Sequence, residues 1–190
     1  TAVGKVLSFF RHISGRTMVA NLRERGAAMC ATRPKAGKSR LIREMWERGE
    51  LDESMLTPEY LGALTPRELG MVGEMIAIDY FEERGYVLLE HGYRCPEGEA
   101  DLVLLDEIDD LVVMAEVKCR RVSKSEASRI FPEEAVDIKK QRRYRRIAGC
   151  YLMEHYPVKG IRFDALGVTV RAGHVAEVEH IMDAFDWQVS

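Results

Sequence analysis

No apolar run in the 190 residues approaches the roughly 20 needed to cross a bilayer. The opening stretch, TAVGKVLSFFRHISGR, has no long apolar segment of the kind that directs secretion. The expectation is neither a leader nor a membrane anchor. Cysteine is scarce: Cys30, Cys95, Cys119 and Cys150 are widely scattered and form no CxxC pair. That argues against both a zinc site and a disulfide framework, and a cytoplasmic, reducing compartment is expected. A phosphate loop is missing too. RPKAGKS comes near, but the first position of GxxxxGK[ST] is Thr32 rather than glycine, and no strand precedes it. No internal repeat stands out.

What is present is ordinary in amount and uneven in place. Hydrophobic residues make up 46% and charged residues 31%, as in globular proteins. The net charge of −3 hides an asymmetry. Residues 1–48 hold 11 Lys/Arg and 3 Asp/Glu, a balance of +8; the rest hold 17 and 28, a balance of −11. A basic arm on an acidic body fits contact with a polyanion. It fits equally an arm that neutralises the body of its own or a neighbouring chain.

Residues 1–67 read as a basic, mainly helical N-terminal extension, and residues 68–190 as the main domain. Leu41, Ile42, Met45 and Trp46 repeat at helical spacing within SRLIREMWERGEL. LTPEYLGALTPREL holds two Thr-Pro helix starts. VGEMIAIDYFEERGY predicts a helix capped by Gly85. Strands follow at YVLLEHGYR, EADLVLL and LVVMAEVK, the last two joined by the acidic loop DEIDD. Asp137 can cap a long helix over IKKQRRYRRIAGCYLMEHY. GIRFDALGVTV and VAEVEHI are the closing strands, and MDAFDW is expected to be a short helix. The order α-β-β-β-α-β-β predicts a mixed sheet with helices on it, an α/β fold.

The strand Leu111–Arg121, LVVMAEVKCRR, poses a chemical question. It reads as buried on both faces, yet Glu116 and Lys118 interrupt it on one face. If the hairpin closes with Asp106 opposite Leu111, then Asp101 lies opposite Glu116, roughly 5 Å away between Cβ atoms. A slip of one residue would send Asp101 to the other face. In the first register two carboxylates and an amine converge in an apolar sheet, and unpaired burial of charge costs several kcal/mol. A divalent cation held by hard oxygen ligands, Mg²⁺ above all, would compensate. Lys118 would then orient a water or stabilise a phosphate oxygen. The alternative is a plain Glu-Lys pair at a strand end near solvent.

At these residues the chain resembles a family. GEAD (Gly98–Asp101) followed by AEVKCRR (Ala115–Arg121) is similar to the YraN family of uncharacterised bacterial proteins, related to PD-(D/E)XK nucleases and archaeal Holliday-junction resolvases. VGE at Val72–Glu74, ERGYVLLEHGYRCPEGEADLV, FPEEAVDIKKQRRYRRIAGCYL, IRFDALGV and HIMDAF extend the likeness over roughly residues 68–186. It departs at Gly92, where the family often has Asn, and at Ala100, where a bulkier apolar residue is usual.

The resemblance implies a restriction-endonuclease-like sheet and a Mg²⁺-dependent endonuclease (Mn²⁺ as substitute) acting on DNA. Branched and single-stranded DNA are the implied substrates. It implies Asp101 and Glu116 as metal ligands, the Val117 carbonyl as a third, and Lys118 as the residue that positions or activates the attacking water. Glu74 would hold a second metal or its water. Asp101, Glu116, Lys118 and Glu74 are thus the implied catalytic residues. Arg94 and Lys140 match family positions near the substrate, and Arg120 and Arg121 can clamp the scissile phosphate. A symmetric homodimer is implied by the resolvases alone.

The densest positive run, Lys139–Arg146, places Lys139, Arg142, Arg143 and Arg146 on one helical face, with Ile147 and Tyr151 toward the core. Such a face can meet phosphates. It can also be a solvated face paired with the acidic body. His91 lies near the turn before GEAD, where a site role is conceivable; the other histidines have no mutual ligand spacing. A nucleic-acid-binding module without catalysis, and a protein-interaction role for the arm, are the rival functions.

Overall fold

The computed structural model describes residues 6–8, 58–122, 137–171 and 175–187. The helical reading of 39–51, the arm around RPKAGKS and the segment FPEEAV lie outside the described residues.

Helices α1 (Pro58–Ala63) and α2 (Pro66–Glu82) each begin at the proline of a Thr-Pro step. Proline suits this place because its missing N–H would have no intrahelical partner. Thr65 caps α2: its hydroxyl accepts from the Glu68 N–H, and the Glu68 carboxylate accepts from the Thr65 N–H at 2.8 Å. Gly85, at φ +84°, takes the left-handed turn beyond the helix. Strands β2 (Tyr86–Cys95), β3 (Gly98–Asp106) and β4 (Leu111–Val122) form an antiparallel meander. Helix α3 (Ile138–His155) is capped by Asp137, whose carboxylate accepts from the Lys140 N–H at 2.8 Å. Strands β5 (Ile161–Arg171) and β6 (Val175–Ile181) close the sheet. A three-residue strand β1 (Val6–Ser8), which the helical reading of the extension missed, pairs with β6.

The architecture is a mixed α/β sheet in the order β1-β6-β5-β4-β3-β2, with β4 and β5 parallel and the other pairs antiparallel. No described helix is long and apolar enough to cross a membrane. β4 lies inside the sheet with a helix against each face, which is why it reads as a nearly continuous apolar run. On one face α2 buries Val72, Ile76 and Phe81 against Leu102, Val113, Ala115 and Leu166. On the other, α3 buries Tyr144, Ile147 and Ala148 against Val103, Met114 and Phe163. Full burial of such large side chains is worth roughly 1.5–3 kcal/mol each.

A second expectation fails. MDAFDW is a turn, not a helix. Asp183 sits at φ +53°, its N–H bonds the Asp164 carboxylate at 3.0 Å, and the Ala184 N–H bonds the Phe163 carbonyl at 2.7 Å. Phe185 then stacks on Phe163 at 4.6 Å. Contacts with β5 win over local helical periodicity.

Candidate active site

The site begins at a change of direction in two strands. In the β3–β4 ladder Asp106 pairs with Leu111 and the last pair is Leu102 with Ala115. Asp101 and Glu116 are the next residues beyond it. On the other side of β3, Tyr93 pairs with Ala100 and His91 with Leu102, so Gly92 lies abreast of Asp101. Gly92 has φ +69°. This kink switches faces: Leu102 belongs to the α2 core, whereas Ala100 and Tyr93, two residues along, belong to the α3 core. Asp101 occupies the switch point. Glycine and asparagine are the residues that reach positive φ most readily. Gly92 therefore meets a backbone requirement of this kink.

Asp101 uses its position to end the ladder. Its carboxylate accepts from the Val117 N–H at 2.8 Å. Burial pushes this carboxyl up to about 7; the Glu116 charge and, more weakly, Glu74 add to the rise, while the Val117 bond and Lys140 oppose it. Glu116 is buried, and its Oε1 accepts from the Lys140 ammonium. Tyr144, one helical turn after Lys140, is fully buried beneath them. Its hydroxyl accepts from the Asp101 N–H at 3.5 Å. Burial first, then the two carboxylates, hold this phenol well above its usual range. Lys118 follows Glu116 on the same face and is exposed. The parallel partners of Glu116 and Lys118 are the small Ala165 and Gly167, so β5 puts no bulk beside them.

Glu74 reaches the region from the opposite helix. Gly73 lets α2 lie directly on β4 at Cys119. Glu74 then accepts from or donates to His91 Nε2 at 2.6 Å, according to which group holds the proton. Burial, with the Glu74 charge second, pushes the Cys119 thiol up to about 12, so it is held neutral.

The structure thus brings Asp101, Glu116, Lys140 and Tyr144 together, with Glu74 and His91 alongside. The arginines disperse. Arg94 pairs with Glu99 at 3.0 Å on the surface. Arg121 donates to the Leu61 carbonyl of α1. Arg120 is half-buried, and Arg143 is exposed with its stem over Gly98. Lys139, Arg142, Arg143 and Arg146 do share an exposed face of α3, and Arg146 pairs with Glu97 at 2.6 Å.

Among the described residues no group of three or more His, Cys, Asp or Glu side chains forms a ready metal cage. The donor chemistry still fits a hard cation. Asp101 and Glu116 offer only oxygen, and the single Lys140 ammonium contacts only the second of them. Two carboxylates with one close cation leave a deficit of positive charge.

Comparison with known proteins agrees with the motifs that build this geometry. Residues 73–168 match the family model described as uncharacterised protein family UPF0102. The chain belongs to the UPF0102 family. The UPF0102 protein of Dictyoglomus thermophilum is 36% identical over 121 residues, 63% of this chain and 98% of the relative. That of Chlorobium chlorochromatii is 39% identical over 123 residues, 62% and 91% respectively. That of Renibacterium salmoninarum is 37% identical over 118 residues, 62% and 95%. The YraN-like resemblance of the sequence is this UPF0102 membership. Gly73, Gly92, Asp101, Glu116 and Tyr144 all fall inside the matched UPF0102 span.

Missed by sequence reasoning were the buried Tyr144 hydroxyl at Asp101 and a second charged cluster on the α2 face. There Arg162 bonds Asp164 at 2.9 Å, Asp106 at 3.0 Å and the Tyr86 hydroxyl at 3.0 Å, and His180 bonds Asp164 at 2.9 Å. Burial alone would raise Asp164, but His180, Arg162 and the Asp183 N–H hold it below the usual carboxylate range. Tyr144 had a signal: it stands four residues after Lys140, one turn along the same face.

Proposed function

We propose that this UPF0102 protein is a metal-dependent endonuclease of DNA, with a restriction-endonuclease-like core over residues 68–190 and branched or single-stranded DNA as its substrates. The observation that carries the reading is the half-buried Asp101 beside buried Glu116 at the point where β3 and β4 part, with the Asp101 carboxyl raised to about 7. Structural carboxylates in this chain look different: Asp164 is fully satisfied and held low. A raised carboxyl with a second carboxylate beside it and one close cation supports a functional site.

Asp101 and Glu116 would hold Mg²⁺ or Mn²⁺, with the Val117 carbonyl available as a third oxygen. Bound there, the ion supplies Lewis acidity to the scissile phosphate and the attacking water. Lys118, exposed beside Glu116, orients that water and accompanies the negative charge that develops. Glu74, tied to His91, holds further water or a second ion. The open face of α3, with Lys139, Arg142 and Arg143, lies along the DNA backbone, and Arg94, Arg120 and Arg121 contribute at the margins. A homodimer would present two such sites to a two-fold substrate.

Linear, flapped, single-stranded and four-way DNA incubated with and without Mg²⁺ tests this. Wild-type protein is expected to cleave at least one substrate only with the ion, and Glu116→Gln to lose cleavage while melting normally. Cleavage by Glu116→Gln at the wild-type rate, or no wild-type cleavage with either Mg²⁺ or Mn²⁺, refutes it. A second reading has one observation in its favour: Lys140 already neutralises Glu116. Salt-sensitive DNA binding with no metal dependence and no cleavage would identify a purely binding module.

A further inference from the structure

Lys140 is in an odd place for a lysine. It lies in the first turn of α3, where the helix dipole disfavours a cation. Its ammonium goes neither to solvent nor to the acidic surface but inward, onto the buried carboxylate of Glu116. The side chain is only half-buried, while its partner is almost wholly so. Thus a partly exposed lysine places its ammonium on the carboxylate that the proposed metal site would use.

The same chain shows what a permanent counter-ion looks like. Asp164 and Asp106 are neutralised by Arg162, which binds Asp164 through two nitrogens and Asp106 through a third. That planar fork is fixed in place by its geometry. Lys140 instead offers a compact charge on a flexible stem with a single carboxylate contact. Such a charge is exchangeable. Tyr144, by contrast, is fully buried, and its hydroxyl accepts from the Asp101 N–H at 3.5 Å.

We propose that the Lys140 ammonium is a resident substitute for a divalent cation, neutralising Glu116 until the ion binds and displaced by it when it does. Once displaced, Lys140 turns outward along the exposed face of α3 that carries Lys139 and Arg143, where a phosphate can take its charge. The proposal rests on the metal-site reading above. It adds that the chain itself competes with the ion, so metal affinity and phosphate contact are linked through one side chain.

The test uses the full chain and Mn²⁺ alone, with free Mn²⁺ read by electron paramagnetic resonance at mildly alkaline pH. Lys140→Met is expected to bind Mn²⁺ about tenfold more tightly than wild type, a modest share of the penalty for an uncompensated buried charge. In chelator its melting temperature should fall, and Mn²⁺ should restore it. Glu116→Gln should lose the binding. Lys140→Gln, which retains a donor for Glu116, serves if Lys140→Met does not fold, and should also bind more tightly than wild type. If wild type binds Mn²⁺ and the Lys140 variant binds no more tightly, the counter-ion role is wrong and the metal site stands. If neither binds, both are wrong.

Discussion

Gly73 carries no side chain where α2 rests on β4, and Gly73→Ala examines that contact. A methyl there would stand 2.3 Å from Cys119 Cβ and 2.9 Å from its sulfur. Carbon atoms settle about 3.5–4.0 Å apart, so helix and strand must separate by more than about 1 Å. No rotamer change relieves the clash, because Cβ is fixed to the backbone. Overpacking costs about 1–3 kcal/mol, and two rigid elements put this case near the upper end. Alanine returns about 1 kcal/mol through better helix propensity. The net loss is about 2 kcal/mol, and at roughly 4 °C per kcal/mol for a body of this size the melting temperature should fall by about 8 °C. Calorimetry on wild type, Gly73→Ala, Cys119→Gly and the double variant gives the cycle. The double variant should recover most of the clash. Gly73→Ala melting at or above wild type, or a cycle without coupling, refutes the close approach. Glu74 moves with that turn of α2, so the proposed cleavage should also fall, since a displacement of about 1 Å can cost about a hundredfold in rate.

Two other outcomes follow from charge. Asp101 has a folded-state pKa raised from 3.8 to about 7, so its neutral form favours folding. That contribution is complete below about pH 4 and disappears as pH rises through 7 in metal-free protein. Asp101→Asn keeps an acceptor for the Val117 N–H without the charge. In chelator it should gain on wild type by up to about 4 kcal/mol between pH 4 and 8, read by urea unfolding at each pH; a gap that does not change with pH contradicts the assignment. Arg162→Met strands the fully buried Asp164 and should cost about 3–5 kcal/mol in the same assay, whereas a loss under about 1 kcal/mol would mean that His180 and the Asp183 N–H suffice.

Much of the scaffold was legible because local chemistry and tertiary contacts agree. The Thr-Pro steps, Gly85, the Asp137 cap and the Asp106–Leu111 hairpin closure all act within a few residues, and each appears where the pattern put it. The site was harder. Strict alternation cannot place Asp101, because the Gly92 kink abreast of it switches both strands between faces. A glycine inside a strand was the available warning. Lys140 sat in a basic run and read as a phosphate contact; its bond to Glu116 spans 24 residues of sequence and leaves no local trace. Arg162 and Asp164 alternate like a solvated strand edge, and only the sheet order buries them.

The C-terminal turn alters how much polypeptide this fold requires. The family match stops at residue 168, within β5. Yet Asp183 supplies a backbone donor to Asp164, Arg145 of α3 holds the Asp186 carbonyl at 2.6 Å, and Trp187 donates its indole N–H to the Ile161 carbonyl at 3.1 Å. These threads fasten the start of β5 and the middle of α3. The contacts that complete the packing of β5 therefore run past the recognisable motif to Trp187, and a polypeptide trimmed to the motif alone would expose Phe163 and leave an aspartate in the interior missing part of its support.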